Sequence, residues 1–497
     1  MSADDLNVTV LAVSAALLAG VVAVRIATRS GLPGLLLYLG IGLAIGESGL
    51  GIGFEDVELA MVLGSLALAV ILAEGGFTTQ WSVTRPVAAM SIVLATVGVG
   101  VSVAVTGGLT YLILDVDLRT ALLLGAVVSS TDAAAVFSVM RQLPITRRLR
   151  ATLEAESGFN DPPVIILVTV IASDAWDSSG PLAIGALMLQ QLVVGLLVGL
   201  AVAWVGQWVL GRSALPAAGL YPLATIAILF VAFSLAGMAG GSPFLAVYVA
   251  GMWLGNTTLP HRSATAGFAE GLAWVAQIGL FIMLGLLASP GRLLDALLPA
   301  LLVGSVLLLV ARPLSVLVCA TPYRVPWREQ AFMSWAGLRG AVPIVLATIP
   351  ITQGLPSAHQ IFDVVFLLVV VFTLVQGPTL PWVAKKLGVT DEERTTDVTI
   401  ESAPLEDIDV TVLQLTVSAD SRLAGVYVDE LRLPGDAVIT LIRRRGEIFA
   451  PKESTVLRAG DHLLLATSNE VRSAAERRLR AVSRGGRLAG WTALRAR

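Results

Sequence analysis

The sequence predicts a polytopic, all-α membrane protein that carries a small α+β domain at its C-terminal end. Three observations lead there. Of the 497 residues 56% are hydrophobic and 14% charged, with a mean hydropathy of +0.82, whereas soluble domains carry about 25% charge. Apolar runs of membrane-spanning length recur through the first 387 residues. The charge is also uneven, because 33 of the charged residues fall in the last 110, from Gly388 to Arg497. This pattern excludes a soluble enzyme, a nucleic-acid binder and a secreted disulfide scaffold. The single cysteine, Cys319, can close no internal disulfide.

Taken in order, about thirteen spans fit helix length to bilayer thickness. They lie near residues 6–26, 32–46, 57–75, 86–114, 119–140, 151–173, 181–210, 220–238, 243–256, 268–289, 294–320, 329–349 and 360–384. The first run follows Asp4 and Asp5 and has no basic n-region, so it reads as a span and not as a cleavable signal. Basic loop residues then alternate. One set of loops holds Arg29, Arg85, Arg141, Arg147, Arg148, Arg150, Arg212, Arg262, Arg324, Arg328, Lys385 and Lys386, and the other only Arg119 and Arg292. The positive-inside rule puts the N-terminus outside a plasma membrane, with lipid around the spans and the C-terminal domain in the cytoplasm. The expected organisation is a membrane domain at 1–387, an acidic Ser/Thr-rich linker at 388–408, a regulatory domain at 409–470 and an Arg-rich helix or tail at 471–497.

An internal repeat supports a transporter. GLPGLLLYLGIGLAIG from Gly31 aligns with GSPFLAVYVAGMWLG from Gly241, matching Pro33 to Pro243, Leu35 to Leu245 and Tyr38 to Tyr248. These are spans two and nine. An odd offset gives the halves opposite orientation, the inverted-repeat plan of secondary transporters.

Polar groups inside spans point to function, because they are expensive there. The fifth span carries Thr131-Asp132 in SSTDAAAVFSVMR, and the sixth carries Glu156, Ser157, Asn160 and Asp161 in EAESGFNDPPVIILV. Arg339 sits in SWAGLRGAVPIVLATIP of the twelfth, and Glu74 ends the apolar run of the third. Ser157 and Asp161 are four apart and share a helix face. Gly340 and Pro343 should interrupt the twelfth span, and the Ser-Ser-Thr-Asp run should unwind the fifth. Two broken helices, one per half, are expected to carry a cation site at the midplane. Desolvation disfavours a bare carboxylate, so Asp161 should hold either a proton or a small cation. Its oxygen neighbours suit sodium or potassium, and no His/Cys cluster supports a bound transition metal or other cofactor. Asp132 reads equally as a cap of the broken helix, and Glu74 as an interfacial acid. Arg339 reads as structural, paired with Glu156, since a buried lone charge is costly. Arg312 reads as snorkelling from a cytoplasmic helix end.

SSTDAAAVF, ESGFNDPP and GLRGAVPIVLA, in this order, resemble the monovalent cation:proton antiporter family, NhaP-type, and especially its CvrA-like potassium/proton branch. The likeness runs from about residue 8 to 385. It implies a homodimer with a core domain moving against a dimerisation domain, and thirteen spans. By motif, Asp161 resembles the ion- and proton-binding carboxylate, with Ser157, Thr131 and Asp132 as partners and Glu74 contributing from the third span. Glu156 and Arg339 match a structural ion pair. Asn160 stands where electrogenic relatives have a second Asp, which implies electroneutral exchange. The two prolines after Asp161 lean towards potassium.

The C-terminal region shifts to short apolar runs with turns. Strands are expected at VTVLQLTV, AVITLIRR, Glu447–Ala450 and HLLLAT, with helices at SRLAGVYVDELRL and in the Arg-rich end. The stretch from Leu423 to Thr467 resembles the RCK C-terminal (TrkA-C) domain, which implies pairing and small-ligand sensing. Arg443, Arg444 and Arg445 could meet an anionic ligand such as a cyclic dinucleotide, or simply end a solvated strand. The expected activity is exchange of cytoplasmic potassium, with sodium the alternative, for protons. A cation channel gated by the same domain is the rival, disfavoured by the absence of a TVGYG-like filter. A sensor that binds ligand and moves no ions is the third option.

Overall fold

Long apolar runs become long helices, since only a helix satisfies its backbone internally when water is absent. The computed structural model describes residues 3–30, 33–46, 49, 51, 56–132, 145–178, 180–390, 400–405, 410–418, 421–468 and 470–489. The chain divides into two units, Met1–Thr390 and Asp391–Arg497. Arg141 and most of SSTDAAAVFSVMR lie outside the described residues.

The first unit is helical. Its helices are α1 (Ala3–Ser30), α2 (Gly34–Ile45), α3 (Val57–Thr78), α4 (Ala88–Ile113), α5 (Leu118–Ser129), α6 (Arg147–Ala172) and α7 (Pro181–Arg212). They continue as α8 (Leu220–Met238), α9 (Pro243–Gly255), α10 (Arg262–Leu287), α11 (Pro290–Tyr323), α12 (Trp327–Trp335), α13 (Ala341–Leu346) and α14 (Ala358–Leu387). Among the described residues, seven helices are each long and apolar enough to cross a membrane, and α2, α5 and α9 are shorter apolar helices. Asp56 and Asp117 fix two starts by accepting the free backbone N–H groups of Leu59 at 2.8 Å and Thr120 at 3.0 Å. A π turn widens α4 at Leu94–Gly98 and another widens α11 at Leu307–Ala311. The core between helices is built from residues such as Leu39, Leu68, Phe281, Phe332, Phe362 and Phe366, all buried.

The second unit is a five-stranded sheet with one helix. Strands β1 (Ile400–Leu405), β2 (Val410–Thr416), β3 (Val438–Arg444), β4 (Glu447–Phe449) and β5 (His462–Ser468) lie in the order β1-β2-β5-β3-β4, every pair antiparallel. Alternate residues Leu413, Leu415, Leu463 and Leu465 face Ala475, Leu479 and Val482 of α15 (Arg472–Gly485). Two expectations differ from this picture. Ile400–Leu405, expected within the linker, is the edge strand, where Pro404 is tolerated opposite Thr411. The expected helix over SRLAGVYVDELRL is instead turns and a single 3-10 turn, Asp429–Leu431. Leu423, Val426 and Leu431 are buried at nearly helical spacing, but Gly425 at φ +92 breaks the path.

The expected ligand arginines also divide. Arg444 is committed internally: its Nε and Nη2 donate to Asp461 at 2.8 and 2.7 Å, and Nη2 also reaches the Val456 carbonyl. Arg443 is exposed, and Arg445 sits at φ +50 in the following turn. Burial pushes the Asp461 carboxyl up, but the Arg444 hydrogen bonds, the Arg458 N–H and both arginine charges outweigh it and hold it below the usual range. A group lowered on folding stabilises fully above its unfolded pKa, near 4, and loses that contribution as pH falls. Amide protection factors in β3 and β5 of the intact protein, corrected for the intrinsic exchange rate, are therefore expected to fall below about pH 4. In Asp461→Asn they should be lower at neutral pH and less acid-dependent; unchanged protection in that variant would contradict the pairing.

Candidate functional site

The fifth and twelfth runs stop being helical where serine, threonine, glycine and aspartate accumulate. α5 ends at Ser129, and Ser130 is already extended at φ −65, ψ 139. Hydroxyl and carboxylate side chains compete with the helix for backbone groups here. The twelfth run is α12 and α13 with a non-helical stretch, Ala336–Gly340, between them. The two breaks touch. Asp132 N donates to the Leu338 carbonyl at 3.0 Å, and the Asp132 carboxylate accepts the Ala341 N–H at 2.9 Å. A β-carbon at 340 would fall 1.6 Å from Asp132 Oδ2, so only glycine fits. Remaining carbonyls are met from α14, by Thr373 Oγ1 on Arg339 O and by Gln376 Nε2 on Trp335 O, each at 2.8 Å.

α6 runs past this crossing and brings the acid. Pro162 and Pro163 lie inside it. Lacking N–H groups, they leave the carbonyls of Gly158 and Phe159 without their usual intrahelical donors, one turn from Asp161. Asp161 is buried, and its Oδ1 accepts from Ser130 Oγ at 2.5 Å. Thr131 Oγ1 lies 3.0 Å from Ser157 Oγ, and Asn160 Nδ2 donates to Thr131 Oγ1 at 2.5 Å. The Asn160 oxygen is buried without a hydrogen-bond donor among the described residues. Ser130, Thr131, Ser157, Asn160 and Asp161 therefore form one oxygen-rich group.

Asp132 adjoins this group, and its carboxylate caps the opposite break at Ala341. The remaining expected site residues fall elsewhere. Glu74 is half-buried on α3, its carbonyl taking the Thr78 hydroxyl at 2.9 Å. Glu156 pairs with Arg312, not with the expected Arg339: both Nη atoms meet its carboxylate, Nη2 to Oε2 at 2.9 Å. Arg312, expected to snorkel, is only 5% exposed. The arginine that neutralises Glu156 thus comes from α11 and not from the GLRGA motif, because the helix crossing brings Arg312 to it. Ser130, inside the SSTD run, and Tyr248, marked by the repeat, are further residues that the sequence signals without assigning them a role.

Tyr248 of α9 packs against the turn of α6 that precedes Asp161. A cavity of about 220 Å³ is lined by Thr78, Thr79, Gln80, Thr84, Glu154 and Ala155. Gly158 lies one turn beyond Ala155 and one turn before Asp161. A β-carbon on Gly158 would sit 2.5 Å from the Tyr248 hydroxyl, and the Tyr248 ring meets Phe159 edge-on at 5.9 Å. The phenol thus packs on the helix turn between Ala155, which lines the cavity, and Asp161.

A bundle of apolar helices, two of them unwound where they meet beside a buried, hydroxyl-ringed carboxylate, is the architecture of a secondary transporter and not of an enzyme. Residues 13–386 match the family described as sodium/hydrogen exchanger, transmembrane, and residues 412–480 match the TrkA-C domain. The chain belongs to the sodium/hydrogen exchanger family and carries a TrkA-C domain at its C-terminal end. It is 37% identical to the K(+)/H(+) antiporter NhaP of Alkalimonas amylolytica, over 93% of this chain and 81% of that protein. Its identity to the K(+)/H(+) antiporter NhaP2 of Shewanella oneidensis is 34%, over 93% and 82%. The fold is similar to that of the sodium proton antiporter MjNhaP1 from Methanocaldococcus jannaschii, with a TM-score of 0.67 and 23% identity over 78% of this chain and 100% of that one.

Proposed function

We propose that this protein exchanges cytoplasmic potassium, or sodium as the second choice, for protons, one for one, by alternating access in a cell membrane. The observation that carries this reading is Asp161, buried and hydrogen-bonded to Ser130 beside Thr131 and Ser157. Its carboxylate offers one negative charge, and the hydroxyls offer neutral oxygens, enough for one dehydrated monovalent cation or one proton. Because the two compete for the same oxygens, release of one prepares binding of the other, and no separate gate is needed to couple them. Asn160 adds no second charge, which supports electroneutral turnover. The potassium preference draws on the relatives that are named potassium/proton antiporters.

About thirteen crossings with an outside N-terminus would place the cavity by Thr79 and Gln80 on the cytoplasmic side, near Arg85. An inverted repeat is supported by paired features seven spans apart. α2 approaches α10 at Gly42 and Gly285, and α9 approaches α3 at Gly251 and Gly76. The π turns of α4 and α11 form a second such pair, and the two breaks a third. We take the protein as a homodimer, with the TrkA-C domain setting the rate on binding a small anion such as a cyclic dinucleotide. Arg443 and Arg445 are the arginines left free for that role.

Proteoliposomes with an internal pH dye test the reading. Potassium addition should release protons faster than sodium or lithium, with a rate unmoved by an imposed membrane potential. Steady conductance without proton movement would instead indicate a channel.

A further inference from the structure

Two buried guanidinium groups in the membrane domain lie near one another, and only one of them, Arg312, is paired with a carboxylate. Arg312 gives both Nη atoms to Glu156, and Nη2 also lies 3.3 Å from the Met333 carbonyl. Three further donors, Arg312 Nε and Arg339 Nε and Nη1, are buried and meet no acceptor among the described residues. Two of them converge. A β-carbon on Gly337 would lie 3.0 Å from Arg312 Nε and 3.5 Å from Arg339 Nη1. Both guanidinium edges therefore border the space that any other side chain at 337 would fill. A gap of about 10 Å³ beside them is lined by Gly304, Leu307, Leu308, Leu368, Phe372 and Gln376 together with Arg312, Gly337 and Arg339.

Charge and size decide what belongs there. Two arginines against Glu156 leave one positive charge, with Arg339 only 3% exposed. The Asp132 carboxylate is turned to Ala341 and the Asp161 carboxylate to Ser130, and neither forms an ion pair with Arg312 or Arg339. The C-terminal end of α12 supplies about half a negative charge at most. A buried charge without a counter-charge is strongly disfavoured. Water would satisfy the N–H groups but not the charge. The gap has room for one small particle, which is too little for phosphate or a carboxylate.

We propose that the gap over Gly337 is a structural site for a monoatomic anion, chloride under ordinary conditions, held by Arg312 Nε and the free edge of Arg339. The anion neutralises the arginine pair where the twelfth run unwinds, and it is not a transported ion.

The test uses the purified full-length protein, with potassium constant and chloride exchanged stepwise for gluconate. The melting temperature is expected to climb with the logarithm of chloride concentration, as binding to the native state requires, and bromide should replace chloride. In Arg339→Met and, separately, in Gly337→Ala, which fills the gap with a methyl group, that dependence should vanish. A melting temperature independent of chloride in the unaltered protein overturns the proposal, as does an unchanged slope in both variants. Crystals grown in bromide provide an independent readout. An anomalous peak beside Arg312 Nε supports the site, and water alone at that position refutes it.

Discussion

Asp161→Asn is expected to leave a folded protein that exchanges nothing. The substitution keeps the size of the side chain, and an amide oxygen can still accept from Ser130, whose 2.5 Å contact is the hydrogen bond that positions the group. What disappears is the ionisable function that sits among the Ser130, Thr131 and Ser157 hydroxyls, since the Asp132 carboxylate is turned to Ala341. Without it there is no charge to draw a cation out of water and no base to carry a proton back. Dye-reported proton release on adding potassium should fall to below about 1% of the unaltered rate, while size-exclusion behaviour stays the same. Ser157→Ala is the instructive companion. It removes a neutral ligand but not the charge, so exchange should persist with a raised KM for the cation. Exchange by Asp161→Asn within a factor of about two of normal would remove Asp161 from the mechanism.

Arg312→Met is expected to be the most damaging substitution away from that carboxylate. It strands Glu156, 2% exposed, as a lone anion and leaves the Met333 carbonyl without its donor. Breaking one side of a buried pair costs about 3–5 kcal/mol, which in a membrane protein should show as poor yield and a lowered melting temperature. The double variant Arg312→Met with Glu156→Gln leaves no bare charge on the carboxylate side and should recover much of the loss. Arg339→Met should be milder, because Glu156 keeps its partner. If instead Arg339→Met is as harmful as Arg312→Met, and Glu156→Gln rescues only the former, then Arg339 is the true counter-ion.

Much of this protein can be read along the chain. Hydropathy locates the helices to within a few residues; α8, expected at 220–238, is Leu220–Met238. Composition also locates both breaks, since Ser-Ser-Thr-Asp and Gly340 act on their own backbone. Ser157, Asn160 and Asp161 belong together by helical spacing alone. These are local effects, decided within a turn or two of chain, so the order of residues is enough to read them.

The rest was settled only when distant segments met. Ser130 reaches Asp161 across 31 residues, and Arg312 reaches Glu156 across 156. A motif close to Arg339 suggested the wrong partner because an ion pair follows the crossing of helices and not adjacency to a motif. Asp132 became a cap for α13 for the same reason: the second break supplied an unpaired Ala341 N–H at the right point. β1 was hidden because an edge strand needs hydrogen-bond partners on one side only and shows no alternation of its own. The order of residues alone points to a membrane exchanger and to an acid within α6, which the fold buries. The tertiary structure decided which groups hold that acid and which arginine neutralises Glu156, because a desolvated charge takes its partner from whatever the packing brings within hydrogen-bonding distance.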